Sequence, residues 1–306
     1  MVEAALARGH SVTLFHRGKT NPGLFPDAEE ILGDRDGGLA PLRGRSWDVV
    51  LDVNGYVPRL VRDTVRLLAD THYVFISTLS VLADPGLAGQ TESTARASFA
   101  GLDTETITNE TYGPLKAACE DVVEREAARH AILRPGFIVG PWDHTGRFNY
   151  WLRRASEGGT MLAPGTARSP VQFIDARDLA AFTILVAETR KRGLYHAVGP
   201  REPITWGGLF EECKRVTRAT TRVEYVADEF LTARGVTLPM RHPGIDGMEQ
   251  TSVTKAIAEG LAFRPVADTI RDTLEWDAAH GRRDVGLTGE RERELLDEWE
   301  RSKTAV

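Results

Sequence analysis

A chain of 306 residues, 42% hydrophobic and 27% charged, has the composition of a folded globular protein and excludes a disordered one. Its net charge of −6, without long basic runs, leaves no electrostatic footprint for nucleic acid. The two cysteines, Cys119 and Cys213, exclude a disulfide framework and a zinc site, and no apolar run reaches the roughly eighteen residues of a membrane span.

Residues 2–8 read as a short helix with Val2, Ala5 and Leu6 on one side and Gly9 as its cap. Glu3 and Arg8 interrupt the only candidate signal peptide, so a cytoplasmic protein is expected. Residues 11–15 form a strand, followed by the basic loop His16-Arg17-Gly18-Lys19. A short strand at 30–32 leads into the polar turn 33–37, and 47–53 is a buried-strand pattern ending at Asn54-Gly55. Helical spacing returns at 60–69. Residues 73–76 are a nearly all-apolar strand ending in Ser77-Thr78-Leu79-Ser80. A polar loop spans 84–110, and a helix carrying Tyr112 runs on to about 129. Apolar 131–133 leads through Arg134-Pro135-Gly136 into apolar 137–140.

Strands that alternate with helices and are apolar on both faces indicate an α/β protein with a parallel sheet covered on two sides. Ligands of such sheets bind beyond the carboxyl ends of the strands. Asn54, Ser77, Thr78 and Pro135 all lie just past strand ends, along one edge.

Beyond Gly140 the texture changes. Residues 143–151 are polar and aromatic; 160–164 and 171–174 read as strands. Asp175 caps a helix to about 188, 194–198 is a further strand, and Thr205 caps a helix to about 216. A strand at 222–226, an irregular stretch at 230–248 and helical patterns at 252–259, 266–276 and 287–300 complete the chain. Both cysteines fall in helical patterns, where a buried thiol is expected.

Tyr112 and Lys116 stand four apart, on one helix face. An ammonium beside a phenol favours the phenolate and lowers its pKa. Such a phenol can exchange a proton with a substrate oxygen near neutral pH.

Several motifs in order carry a family resemblance. They are Val74-Phe-Ile-Ser-Thr-Leu-Ser-Val81, Tyr112-Gly-Pro-Leu-Lys116 and Leu133-Arg-Pro-Gly-Phe-Ile-Val-Gly-Pro141. Val171-Gln-Phe-Ile-Asp-Ala-Arg-Asp-Leu-Ala180, Tyr195-His-Ala-Val-Gly-Pro200 and Gly260-Leu-Ala-Phe-Arg-Pro265 extend them. Together the chain resembles the extended short-chain dehydrogenase/reductase family, of the NAD(P)-dependent epimerase/dehydratase type. The resemblance implies a Rossmann-type doubly wound parallel sheet with a smaller mixed α/β substrate lobe. Residues 1–144 would form the dinucleotide-binding domain, with 170–200 returning to its sheet; 145–169 and 201–306 would form the lobe.

It implies that Tyr112 is the catalytic acid/base, and that Lys116 lowers its pKa and hydrogen-bonds the nicotinamide ribose. Thr78 would hold the reacting oxygen, with Ser77 its neighbour; local strand-end capping is the alternative for both. Pro135 would shape the backbone beside the nicotinamide, Asp34 and Arg35 would form the turn at the adenine, and Asn54 would lie on the cofactor edge. Ser80, Asp143, Arg147 and Tyr150, with His144, fall where the substrate lobe meets the sheet. Arg147 suits a phosphate or carboxylate, a salt-bridged surface arginine being the alternative. Gln172 and Asp175 read as structural.

Relatives specific for NAD carry an acid after the second strand for the ribose 2′-hydroxyl. Here that loop holds Arg17, which suits a 2′-phosphate, so NADP is expected ahead of NAD. The chain departs from the family in having no Gly-x-x-Gly-x-x-Gly turn. The usual strand-turn-helix layout leaves about fifteen residues unaccounted for, so Met1 is expected to be an internal methionine and a strand is expected to be wanting between those at 11 and 47.

The expected function is NAD(P)-dependent oxidation, reduction or epimerisation of a secondary alcohol or ketone, a nucleotide sugar being one class of substrate. The alternatives are a non-catalytic, cofactor-free sensor or scaffold on the same fold, and an RNA-binding relative, against which the acidic charge argues. The partners expected are a small-molecule substrate and, as the assembly left open, a homodimer; neither nucleic acid nor membrane is expected.

Overall fold

The structure, a computed structural model, describes residues 1–101, 104–281 and 283–304. The amino-terminal part runs α1 (Val2–Ala7), β1 (Thr13–His16), β2 (Glu29–Leu32), β3 (Val49–Asp52), α2 (Pro58–Leu67) and β4 (His72–Ile76). It continues with α3 (Asn109–Glu126), β5 (His130–Pro135), β6 (Phe137–Val139), α4 (Arg147–Ser156), β7 (Thr160–Pro164) and β8 (Pro170–Asp175). Next come α5 (Ala176–Glu188), β9 (Gly193–Ala197), β10 (Gly199–Thr205), α6 (Trp206–Thr217), β11 (Arg222–Val226) and α7 (Asp228–Thr232). The last helices are α8 (Thr254–Ala258), α9 (Val266–His280) and α10 (Gly289–Thr304). Within the predicted loop at 84–110, residues 102 and 103 lie outside the described residues.

The organising layer is a parallel four-stranded sheet in the order β3-β4-β5-β9. Side chains alternate across a strand, so β4 serves two cores. Tyr73 and Phe75 pack with Val61 and Val65 of α2 and Cys119, Val122 and Val123 of α3. Val74 and Ile76 pack on the opposite face with Leu179, Phe182 and Val186 of α5. This is the doubly wound α/β arrangement, and it explains why these strands read as continuous apolar runs. Both cysteines are buried thiols, as expected.

β1 and β2 form their own parallel two-stranded sheet. Among the described residues, no strand joins it to β3. Of residues 170–200, β9 pairs with β5. β8 lies instead in a three-stranded sheet between β10 and β6, so the expected return to the parallel sheet is made by 193–197. The lobe core gathers Phe148, Trp151, Trp206 and Phe210 from α4 and α6, with β7 and β11 paired in parallel beside them.

The predicted caps form. Asp175 accepts from Arg177 N–H at 2.9 Å and Thr205 from Gly208 N–H at 3.1 Å. Two elements depart from the expectation. α4 occupies most of 143–151 because Phe148, Trp151, Leu152 and Ala155 bury one helical stripe. β10 forms in a stretch whose prolines mask it, antiparallel to β8.

Helix α3 is begun by a reciprocal cap. Thr108 accepts from Thr111 N–H at 3.3 Å, and Thr111 Oγ1 accepts from Thr108 N–H at 2.8 Å. This starts the helix three residues before Tyr112. Pro114 lies inside the helix and cannot donate to the turn before it. Gly113 lets α3 lie directly on the 3-10 turn Leu79–Val81, because a Cβ there would stand 2.2 Å from the Ser80 carbonyl oxygen.

Candidate functional site

The close approach at Gly113 brings Tyr112 to the carboxyl end of β4. Thr78 caps the turn that follows β4: its Oγ1 accepts from Ser80 N–H at 3.1 Å and donates to Ser80 Oγ at 3.2 Å. Strand-end capping is therefore one role of Thr78, and its hydroxyl also neighbours the Tyr112 phenol. Ser77 is buried, with its N–H donated to the Leu133 carbonyl at 2.7 Å. Ser80 is exposed beside Thr78. Burial pushes the Tyr112 phenol above its ordinary value, Tyr56 adds to the rise, and Thr78 and the charge of Arg147 pull it down.

Lys116 does not depress that phenol, contrary to the sequence expectation. The residue is 2% exposed, and its ammonium donates to the Gly55 carbonyl at 2.7 Å and the Ile76 carbonyl at 2.8 Å. It also lies 4.1 Å from the Phe75 ring centroid and 5.4 Å from that of Tyr56. Burial lowers its pKa from 10.5 to about 8. The unfolded lysine keeps its proton up to the ordinary value, so between about 8 and 10.5 the unfolded state binds more protons and stability rises with pH. Urea unfolding over that window should show wild type gaining up to about 3 kcal/mol on a Lys116→Met chain; a constant difference between the two would refute the assignment.

Along the cofactor edge the predicted residues divide. Arg35 turns inward: its guanidinium forks onto Asp52 at 2.9 and 2.8 Å and donates to the Asn54 carbonyl at 2.9 Å and Thr64 Oγ1 at 3.1 Å. Tyr73 adds a hydroxyl to Asp52 Oδ2 at 2.6 Å. Burial alone would push the Asp52 carboxyl up, but Arg35 and Tyr73 hold it below the usual carboxylate range. Arg35 thus serves a buried ion pair. Asp34 stays exposed, capping its turn through Asp36 N–H at 3.0 Å. Arg17 is 58% exposed in its side chain and lies 3.9 Å from Asp34. Asn54 is exposed past β3, and Pro135 is buried at the end of β5 opposite Ala197.

On the lobe side, Arg147 opens α4. Its Nε donates to Thr145 Oγ1 at 3.1 Å, and its guanidinium covers the Phe137 ring at 5.2 Å. Among the described residues it has no carboxylate partner. Asp143 caps its own loop, accepting from Thr145 N–H at 2.9 Å and Thr145 Oγ1 at 2.5 Å, while His144 is exposed. Tyr150 is 5% exposed and packs edge-on against Trp151 at 4.8 Å; it belongs to the lobe core, because α4 turns that side inward. His242 titrates below its ordinary value through partial burial and the charges of Arg147 and Arg241. It lines a cavity of about 270 Å³ with Pro164, Leu231, Val236, Leu238 and Arg241.

Residues 50–198 match the model of the NAD dependent epimerase/dehydratase family. Over that span the chain is similar to this family. The matched segment contains Ser77, Thr78, Tyr112, Lys116, Pro135 and Arg147. Solved structures share the fold. The UDP-glucuronic acid 4-epimerase of Bacillus cereus, in complex with NAD, is 13% identical over 90% of this chain and 94% of its own, with a TM-score of 0.65. The UDP-glucose 4-epimerase of Thermotoga maritima, with UDP-glucose, is 14% identical over 91% and 94%, with a TM-score of 0.64. The Bordetella bronchiseptica enzyme WbmG, in complex with NAD and UDP, is 17% identical over 93% and 92%, with a TM-score of 0.64. A curated relative, the chloroplast stem-loop binding protein of 41 kDa b from Arabidopsis thaliana, is 22% identical over 231 residues. That match takes in 68% of this chain but spans only 57% of the relative's length.

The residues present fit the nicotinamide end of a dinucleotide. Gly55 lets the backbone after β3 lie directly on the buried Phe75 ring, since a Cβ there would meet that ring at 2.5 Å. Thr78 and Tyr112 offer hydroxyls at the same edge, and Lys116 has a third ammonium proton beyond the two given to carbonyls. Among the described residues, none forms the family's glycine turn for the pyrophosphate. Two neighbours of these residues escaped the sequence reading. Tyr56, whose ring is 6.2 Å from that of Tyr112, is signalled only by its place after Gly55. His242 lies in a stretch without periodicity. Among the described residues no helix is long and apolar enough to cross a membrane.

Proposed function

We propose that the chain is an NAD(P)-dependent oxidoreductase or epimerase acting on a secondary alcohol or ketone that carries an anionic group. The convergence of Thr78 and Tyr112 over buried Lys116, at the carboxyl ends of β3 and β4, carries this reading. The nicotinamide supplies hydride chemistry when bound. Tyr112 exchanges the proton with the substrate oxygen, and Thr78 Oγ1 hydrogen-bonds that oxygen. Lys116 holds Gly55 and Ile76 in place and keeps one proton for the ribose. Because burial keeps the phenol protonated near neutral pH, Tyr112 is set to donate toward a carbonyl, and removing a proton from an alcohol becomes easier as pH rises.

Arg147, without a carboxylate partner among the described residues, supports a phosphate or carboxylate on the substrate. A nucleotide sugar meets that requirement, and the named UDP-sugar epimerases of the same fold add to it. For the cofactor, the exposed guanidinium of Arg17 supports NADP over NAD, with Asp34 at 3.9 Å partly offsetting its charge. Fluorescence titration with NADPH and NADH tests this reading. Tighter NADPH binding that an Arg17→Ala chain loses is the expected result. Absence of binding by either nucleotide would favour the non-catalytic scaffold instead.

A further inference from the structure

Residues 245–252 form a strap between the lobe and the catalytic edge. Gln172 on β8 clamps one side: its Nε2 donates to the Thr251 carbonyl at 3.1 Å, and Thr251 N–H donates back to Oε1 at 3.0 Å. The 84–90 loop holds the other side. Met248 N–H donates to the Pro85 carbonyl at 2.8 Å, Gly89 N–H to that of Gln250 at 3.1 Å, and Ser252 N–H to that of Gln90 at 2.8 Å. Gly247 lies so close to Gly86 that a Cβ would stand 2.2 Å from its carbonyl. Met248 packs against Leu79, Leu82 and Val198, so the strap supports the turn that Thr78 caps.

Glu249 sits inside this junction, 7% exposed, with Oε2 accepting from Gln172 N–H at 2.5 Å. The charged groups that reach it are Arg241 and Asp246. Arg241 is already shared between Asp228 and Asp246. On the 84–90 loop, Asp84 is turned to Gly86 N–H at 2.9 Å; β8 contributes the uncharged Gln172. Burial raises the Glu249 carboxyl to about 8, against the pull of Gln172 N–H and Arg241 and with the help of Asp246.

We propose that Glu249 is a positioning residue: as a neutral acid it locks the 245–252 strap onto β8, and the strap holds the Thr78–Ser80 turn in register with Tyr112. The functional meaning of that register rests on the reading of Thr78 and Tyr112 given above. Ionisation leaves an anion in the junction with no cation of its own, and the strap loosens.

Hydrogen exchange read by mass spectrometry on the full chain tests this without a substrate. Peptides covering 79–90 and 245–252 are compared at about pH 6.5 and pH 9, after correction for intrinsic exchange. In wild type their protection should fall about thirtyfold between the two, because up to about pH 8 the docked acid keeps a proton that the opened one has lost, and it should level off above that. Glu249→Gln should stay protected at both, and Glu249→Ala should exchange fast at both. Equal wild-type protection at the two pH values, or a Glu249→Gln chain that behaves as wild type, overturns the proposal; that pair decides even where Glu249→Ala does not fold. Where turnover is measured, the ratio of wild-type to Glu249→Gln kcat should fall as pH rises, while the ratio of their KM values stays level. The exchange pattern without any turnover would overturn the oxidoreductase reading and leave the strap assignment standing.

Discussion

A Tyr112→Phe chain should lose turnover by about 10²–10⁴-fold, the range a positioned general acid contributes, while cofactor affinity stays near wild type. The substitution keeps the ring that lies 6.2 Å from Tyr56 and the packing that buries it, and it removes only the hydroxyl beside Thr78. The loss should be uniform in kcat, because the proton is moved in the transition state. Stopped-flow or steady-state assays in both directions measure it. Near neutral pH, carbonyl reduction should be the faster direction in wild type, and alcohol oxidation should accelerate as pH rises toward the raised pKa of the phenol. Turnover unchanged in the Phe variant would sink the mechanism.

Arg35→Ala should cost about 3–5 kcal/mol of stability, since it strands the Asp52 carboxylate in the interior. That is a large share of the roughly 5–15 kcal/mol that holds a domain together. Asp52 would keep the Tyr73 hydroxyl at 2.6 Å but lose the two-pronged Arg35 contact. Arg35→Met with Asp52→Leu should recover part of the loss, because the charge and its partner leave together while the buried Tyr73 hydroxyl loses its acceptor. Urea unfolding of the three chains decides the matter, and a single-variant loss below about 1 kcal/mol would contradict the buried-pair account. The double variant also separates structure from ligand binding: folded and binding nucleotide normally, it would place Arg35 outside the cofactor site.

What the sequence made legible is what local chemistry determines. β4 and β5 are apolar on both faces, so their run of residues is enough to read them. Asp175 and Thr205 cap helices with hydrogen bonds closed within three residues. Tyr112 and Lys116 were found because a helix repeats every 3.6 residues. The failures have a different cause. Arg35 and Asp52 are seventeen residues apart, and nothing in either neighbourhood announces that they meet. The same holds for Gln172 and Thr251, seventy-nine apart. The expected effect of Lys116 on Tyr112 followed from spacing alone, but the ammonium is drawn to the carbonyls of Gly55 and Ile76, on segments distant in sequence. α4 was overlooked because charged residues interrupt its stripe and no side-chain cap marks its start.

The contact at Gly113 behaves as a mechanical stop. Helix α3 meets the Ser80 carbonyl through backbone alone, and a close-packed backbone contact resists compression far more steeply than it resists separation. The approach of α3 to the turn that Thr78 caps therefore has a hard inner limit and a soft outer one. Thermal motion opens the gap between helix and turn but does not shrink it below the resting value. Remodelling the cores that back α3 tunes how often the two drift apart, while the closest distance they reach belongs to the backbone.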